Sequence, residues 1–572
     1  MPSRLDALLT DLDSAKDDFG PGSANRVKRL LDQLSRFKFQ NAKPIIHFHE
    51  ALLFLRAFPQ SASLRSRVEK LLDTFHQRTE SILILGADPS DFDDFDTSGI
   101  AGTTMQDTLS FEVARWLVRR IPRNVEIAWD EYDEERAWGA TWPRFIPLLR
   151  EDSDVEANIP WRRWLDEARG RKRDCEWLIR RFEEMPVPER ERAEFYDSLR
   201  IPVRWRLDNL KIARTRNWRP PRQLFVHEGA LITRKQVSLM HELARPAPLL
   251  RRLPQPEGER VIETIREVML VRYRELYGTT LGDPRSVVQA ELGRGVVLYL
   301  WNLPPERRLP LRAYVAGFTQ KNGVPINYIE AIGLCEWIEV GFNTFYTYRR
   351  GESAWIYAQA LRCLCAFTGA RVISVYPYQI GQNNDEALDS GAFWFYRKMG
   401  FRSGDPELEK LAKREERRIA ADANYRTSRR TLKRLAEAHV FLEIPAKSSA
   451  VAAGDVGAWD TFSMRNLGLR VNQRMAREFG GEAARIREAS VREVSRALQI
   501  QTERWNTPEK RSLENWSLVL ALMPSLRRWS WEEKREVIRM IRGQAGRDEM
   551  QYLRRTQSRA RLRQELLRLG SS

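Results

Sequence analysis

Two carboxylates lie inside one of the most apolar stretches of the chain, Leu334-Cys335-Glu336-Trp337-Ile338-Glu339-Val340-Gly341-Phe342. Burial disfavours an ionised carboxyl group and raises its pKa, which suits Glu336 or Glu339 to take a proton from a substrate. In a strand the two have opposite parity, so at most one faces a given cleft. Glu336 is the preferred base, and the plain alternative for either is a structural ion pair or an edge-strand charge. Further on, Tyr348-Arg349-Arg350-Gly351-Glu352-Ser353-Ala354 reads as a loop opening a helix, where an acidic first turn is favourable. Beyond it, Phe393-Trp394-Phe395-Tyr396 reads as a short aromatic helix. A phenol against an apolar wall can hand over a proton; the plain reading makes Tyr396 one more core aromatic.

Other clusters carry less chemistry. His47-Phe48-His49-Glu50 would put two histidines on one face of a strand, but Pro44 and the following Ala51-Leu52-Leu53-Phe54 point to a loop entering a helix. No third ligand accompanies them, and no metal site is expected. Asp88, Asp91, Asp93, Asp94 and Asp96 share one loop that lacks the EF-hand spacing, so a solvated or helix-capping role is favoured over a cation site. Cys175, Cys335, Cys363 and Cys365 show neither a disulfide framework nor a zinc spacing. P-loop, dinucleotide and nucleophile-elbow motifs are missing, and Gly99-Ile100-Ala101-Gly102 lacks the lysine of a phosphate cradle.

These residues must be positioned by a chain whose 572 residues exceed one ordinary core. Residues 1–215 show helical periodicity throughout most of their length, with Pro220-Pro221 as a boundary signal. Residues 216–406 change character. Runs rich in β-branched and aromatic residues are separated by turn signals, including Asn322-Gly323, a hairpin pair. A helix over 354–367, a strand over 371–377 and the helix of Tyr396 follow, predicting an α+β domain. Residues 407–445 form a basic helical extension: between 411 and 439 nine Lys/Arg face four Asp/Glu. A small-residue linker over 446–457 precedes a last basic helical region, 458–572.

The chain carries 95 Lys+Arg against 78 Asp+Glu, a formal charge of +17. Such a field favours polyanions, so nucleic acid or an acidic protein is a candidate partner of the basic helical regions. No run long and apolar enough for a membrane span is found. The amphipathic, acidic N-terminus lacks a secretory stretch, and a reducing cytoplasmic location is expected.

The order of strands, helix, strand and helix, with Ala392, Tyr396 and Gly400-Phe401 at four-residue steps, resembles the GNAT acyltransferase superfamily. The resemblance covers residues 262–406, about a quarter of the chain. It implies a central GNAT-like mixed sheet with helices, flanked by N- and C-terminal mainly helical regions, an α+β protein as a whole. It implies acetyl-CoA, or another acyl-CoA, as co-substrate, held in a gap where the fourth strand splays from the fifth. Tyr396 stands where that family's tyrosine meets the departing thiolate. Backbone N–H groups near Asn343, Thr344 and Phe345 would hold the thioester oxygen, with Glu336 or Glu339 as base for an unidentified amine. The family's phosphate loop, Arg-x-x-Gly-x-Gly/Ala, maps onto Arg349, Arg350, Gly351, Ser353 and Ala354. Glu352 stands where a glycine is expected, so diphosphate binding requires that it point away or pair with Arg349 or Arg350. An acyl-CoA-dependent N-acyltransferase is the favoured reading. The alternative is a catalytically inactive GNAT-like scaffold within a nucleic-acid- or protein-binding protein.

Overall fold

The computed structural model describes residues 4–132, 141–156, 159, 161–445 and 457–571, so most of the expected linker lies outside the described residues. The chain forms two compact units, one of residues 1–230 with 263–280 and one of 231–262 with 281–572. Residues 216–230 and 263–280, grouped with the α+β domain in the sequence reading, thus pack in the first unit. Among the described residues no helix is long and apolar enough to cross a membrane.

The first unit opens with five helices, Arg4–Ala15, Ser23–Ser35, Ala42–Ala57, Ala62–Asp73 and Phe75–Ile84. Their spacing is amphipathic: Val27, Leu30, Leu31 and Leu34 are all buried along one face of the second. The segment after residue 109, read as mostly helical, also contributes to a small antiparallel sheet, in the order Thr104–Thr108, Pro202–Arg206, Val125–Ile127. Strands this short hold too few residues for alternation to register. Trp205, fully buried, anchors a core with Trp142, Trp177 and Phe182.

The helix Ala42–Ala57 sends its two histidines different ways. Half-exposed His47 meets Asp13 at 2.5 Å. His49 is sealed, with Nε2 2.8 Å from the Thr215 hydroxyl and Nδ1 3.4 Å from Glu50. Glu50 pairs with buried Arg214, while Arg56 donates to both Glu69 oxygens at 2.9 Å and to the Thr215 carbonyl at 2.7 Å. In the acidic loop, Asp88 and Asp94 accept from the amides of Ser90 and Asp96, and Asp93 accepts from the Tyr273 hydroxyl. Among the described residues no group of three His, Cys, Asp or Glu side chains could hold a metal ion.

The second unit is built on a ten-stranded mixed sheet. Its principal strands are β1 (Val288–Gly293), β2 (Val296–Trp301), β3 (Ala313–Lys321), β4 (Asn327–Leu334), β5 (Trp337–Thr344), β6 (Val372–Val375), β7 (Arg402–Ser403) and β8 (Val440–Glu443). Two-residue strands Arg251–Arg252 and Val324–Pro325 pair with β1 and β3. The spatial order is β7-β8-β6-β5-β4-β3-β2-β1. Asn322 and Gly323, at φ 50° and 79°, form the two-residue turn between paired Lys321 and Val324. Positive φ at both positions is what a hairpin turn matching strand twist demands. A crossover helix α1 (Ser353–Thr368) joins β5 to its parallel neighbour β6, ending at Gly369 in the left-handed conformation. Short helices α2 (Pro377–Ile380), α3 (Asp385–Asp389) and α4 (Ala392–Lys398) follow, then α5 (Pro406–Ala421) and α6 (Arg429–Leu435).

The stretch after residue 405, read as helical, also supplies β8, which inserts between β6 and β7. The C-terminal helices are part of this unit rather than separate from it. Helix Glu549–Gln557 packs on β3 and β4, where Thr556 accepts from the Cys335 amide at 3.1 Å and Tyr552 donates to the Leu311 carbonyl. Cys175, Cys335 and Cys363 are buried, Cys365 is half-buried, and all four are free. Burial pushes the thiols of Cys175, Cys363 and Cys365 up to about 12 and raises Cys335 likewise.

Candidate functional site

The parallel pair β5–β6 is joined only at Trp337↔Val372, Ile338↔Ile373 and Glu339↔Ser374. On its other side β5 stays paired with β4 along its whole length, to Thr344↔Asn327. Residues 340–344 therefore carry an edge that no strand of the described chain covers, and the loop of Arg349 and helix α1 begin where that edge ends.

Alternation divides the side chains around this edge between two faces. Phe342 points to the face covered by α1 and α4, with its ring 4.9 Å from Tyr357, which in turn lies 5.8 Å from Tyr396. Tyr396 is buried, and burial, with Tyr328 adding to it, raises its phenol well above the ordinary value. It is a proton donor at any physiological pH. Burial also raises Tyr357, whose hydroxyl has no hydrogen-bond partner among the described residues.

Glu339, Gly341 and Asn343 point to the opposite face, with Tyr328, Glu330 and Ile332 of β4 and Tyr314 of β3 across the ladder. This face is polar and half-open. Glu330 accepts from the Tyr314 hydroxyl, and burial raises its carboxyl pKa against that bond. Asn343 lies 3.4 Å from the Tyr328 hydroxyl. Gln379 of α2 lies over Gly341: a Cβ built there would be 3.6 Å from its Nε2. Glu339 Oε2 is 3.0 Å from Nε2 of His439, and the His439 ring lies edge-on to Tyr376 at 5.3 Å. Burial lowers Arg312, while the Glu339 charge opposes that shift.

Glu336, the preferred base, occupies the turn at the paired end of β5. Its Oε1 accepts from Trp459 at 2.7 Å and Arg563 at 2.5 Å. The structure thus separates it from the open edge and brings Glu339 there.

At the start of α1, Glu352 turns inward rather than out, and it pairs with neither Arg349 nor Arg350. It is fully buried and bonded by Arg294, by Lys321 at 3.4 Å and by the Ile232 amide at 3.1 Å. Burial alone would raise its carboxyl; the bonds from Arg294, Lys321 and Ile232 outweigh it and leave the pKa below the ordinary value. Burial pulls Lys321 down to about 8. The first-turn amides, Ser353 and Ala354 among them, thereby keep the unpaired N–H groups of any helix start. Ser353 itself donates to the Arg349 carbonyl at 2.9 Å, and Gly351 donates to Tyr348 at 2.9 Å. Arg350 is exposed. Arg349 reaches back to the Thr344 carbonyl at 3.3 Å and pairs with Glu386 of α3. Phe345 is buried, its amide bonded to Ile326 at 3.0 Å.

No known family model matches this chain, and neither a curated protein nor a solved structure matches it. The site is read from its own geometry. His439, Glu330, Tyr314 and Arg312 escaped the sequence reading because each becomes relevant only through strand register. The one signal for His439 was the β-prone Val440-Phe441-Leu442 that follows it.

Proposed function

We propose that the second unit is an acyl-CoA-dependent N-acyltransferase of the GNAT type, acting on an amine. The observation that carries the reading is the β5–β6 pair. Two parallel strands linked by α1 are joined at one end only, with a helix start at the other end and buried Tyr396 behind it. The inward turn of Glu352 supports it further, since the one residue at odds with a diphosphate site has its charge balanced elsewhere.

In this reading the diphosphate lies on the amides that open α1, where unpaired donors and the positive helix end favour an anion, with Arg349 and Arg350 beside it. The thioester enters the open edge near Asn343, Thr344 and Phe345. The amine nitrogen attacks the thioester carbon, a C–N bond forms and the C–S bond breaks. The proton lost by nitrogen passes to the Glu339 side of the sheet, and Tyr396 gives its proton to the leaving sulfur. Acetyl-CoA at ~100 times its Kd should stabilise the unit by about 2.7 kcal/mol. Thermal unfolding with and without acetyl-CoA tests this: the shift should vanish in Arg349→Ala, and a chain indifferent to acetyl-CoA refutes the reading.

A second reading, a non-catalytic scaffold that binds nucleic acid, draws on Arg349 being occupied by Glu386 and on the C-terminal helices. Residues 457–571 hold 24 Lys/Arg against 14 Asp/Glu, and Arg465, Arg487, Arg496 and Arg504 are exposed. Binding to single-stranded RNA that weakens steeply with salt, with no response to acetyl-CoA, would favour it.

A further inference from the structure

We infer that His439, and not a carboxylate, is the group that takes the acceptor's proton, and that Glu339 serves to position it. The inference rests on the acyltransferase reading and adds a residue from outside the segment that suggested it.

The geometry comes from three strands. Ser374 of β6 pairs with Glu339 on one side and with Phe441 of β8 on the other, and Val375 pairs with Val440. His439 therefore falls beside Tyr376, one step beyond the last paired residue of β6 and level with the start of the open edge. From there its ring reaches across the end of β6 to β5, where Nε2 meets Glu339 Oε2 at 3.0 Å. The contact bridges the strands at the point where their own pairing stops.

That arrangement assigns the two nitrogens. A carboxylate on Nε2 holds the proton there and leaves the lone pair on Nδ1, and it favours the imidazolium that forms when Nδ1 accepts a proton. Nδ1 makes no hydrogen bond to any described residue, and the side chain is 33% exposed, against 19% for Glu339. The imidazole is thus the member of the pair an incoming amine can reach. Tyr376, 43% exposed and edge-on to the ring, walls the approach. The face also separates the two proton transfers: Tyr396 serves the sulfur from the α1–α4 side, and His439 serves the nitrogen from the other. Glu339 and Tyr376 contact the imidazole, Arg312 interacts electrostatically with Glu339, and the Arg402–Glu443 pair lies further along β8.

The test uses the full chain and acetyl-CoA, following thiol release with a panel of primary amines and with water alone as acceptor. Thermal unfolding confirms folding and acetyl-CoA binding for each variant. His439→Asn is expected to lower kcat by ~10²–10⁴-fold with the acetyl-CoA-induced thermal shift unchanged. Glu339→Gln should lower kcat by less, with KM for the amine unchanged, and Glu339→Asp should recover part of the loss; a purely structural Glu339 would leave kcat of the folded variant unchanged. Wild-type and His439→Asn rates that coincide while both proteins bind acetyl-CoA, including coincidence at the uncatalysed background, overturn the assignment. If acetyl-CoA fails to bind the wild type, the acyltransferase reading falls and this assignment with it.

Discussion

Each unit of this protein holds a histidine against a glutamate, and the two pairs differ in almost everything but residue type. His49–Glu50 is sealed, the imidazole fully buried and the carboxylate locked to Arg214. Burial, outweighing the bond to Glu50, lowers the His49 pKa to about 4. His439–Glu339 lies on a half-open sheet face with one ring nitrogen uncommitted. A sealed pair can only hold the fold, because changing its charge means unfolding around it. An open pair can exchange a proton with whatever arrives. What separates the two pairs is whether the second ring nitrogen has a partner among the described residues.

That contrast breaks first at the sealed pair. Glu50→Ala leaves Arg214 charged, buried and without its carboxylate, and should cost ~3–5 kcal/mol, read as an earlier urea transition by tryptophan fluorescence. Next comes acid. In the native state His49 stays neutral until about pH 4, whereas an unfolded chain protonates it near 6.5. The unfolded state binds the extra proton, so the stability is present above pH 6.5 and lost as pH falls toward 4. The loss is on the order of 3 kcal/mol, visible as a pH-dependent urea midpoint that flattens in His49→Asn. Tyr357→Phe reverses the sign: its buried hydroxyl has no partner among the described residues, so removing it should raise the melting temperature, by ~1 kcal/mol of stability. The smallest effect belongs to the open pair. Glu339→Gln should change stability by less than ~1 kcal/mol, so any large kinetic effect there is not a folding effect.

The meander of β2 to β5, the crossover helix α1 and the aromatic helix of Tyr396 were all legible as periodicity and turn chemistry, down to Asn322-Gly323. What escaped was non-local. β8 is four residues long and follows a basic helix, so nothing in its own stretch says it pairs with β6, and His439 was lost with it. Glu352 looked like a carboxylate in a phosphate loop because its partners, Arg294 of the β1–β2 turn and Lys321 at the end of β3, come from far earlier in the chain. Glu336 and Glu339 were equivalent as two acids in an apolar run. Only the register, which places one in a turn against Trp459 and Arg563 and the other at the last position of β5 paired with β6, tells them apart.

The deep placement of the native thiols has a practical corollary. With Cys175, Cys363 and Cys365 titrating near 12, and Cys335 shifted the same way, almost none of their sulfur is thiolate at neutral pH, and maleimide-type reagents find little to react with. A single cysteine introduced at Tyr378, 49% exposed one residue into α2, would then take a fluorophore selectively in an otherwise unaltered chain. The protein comes ready for optical reporting beside the open edge of β5.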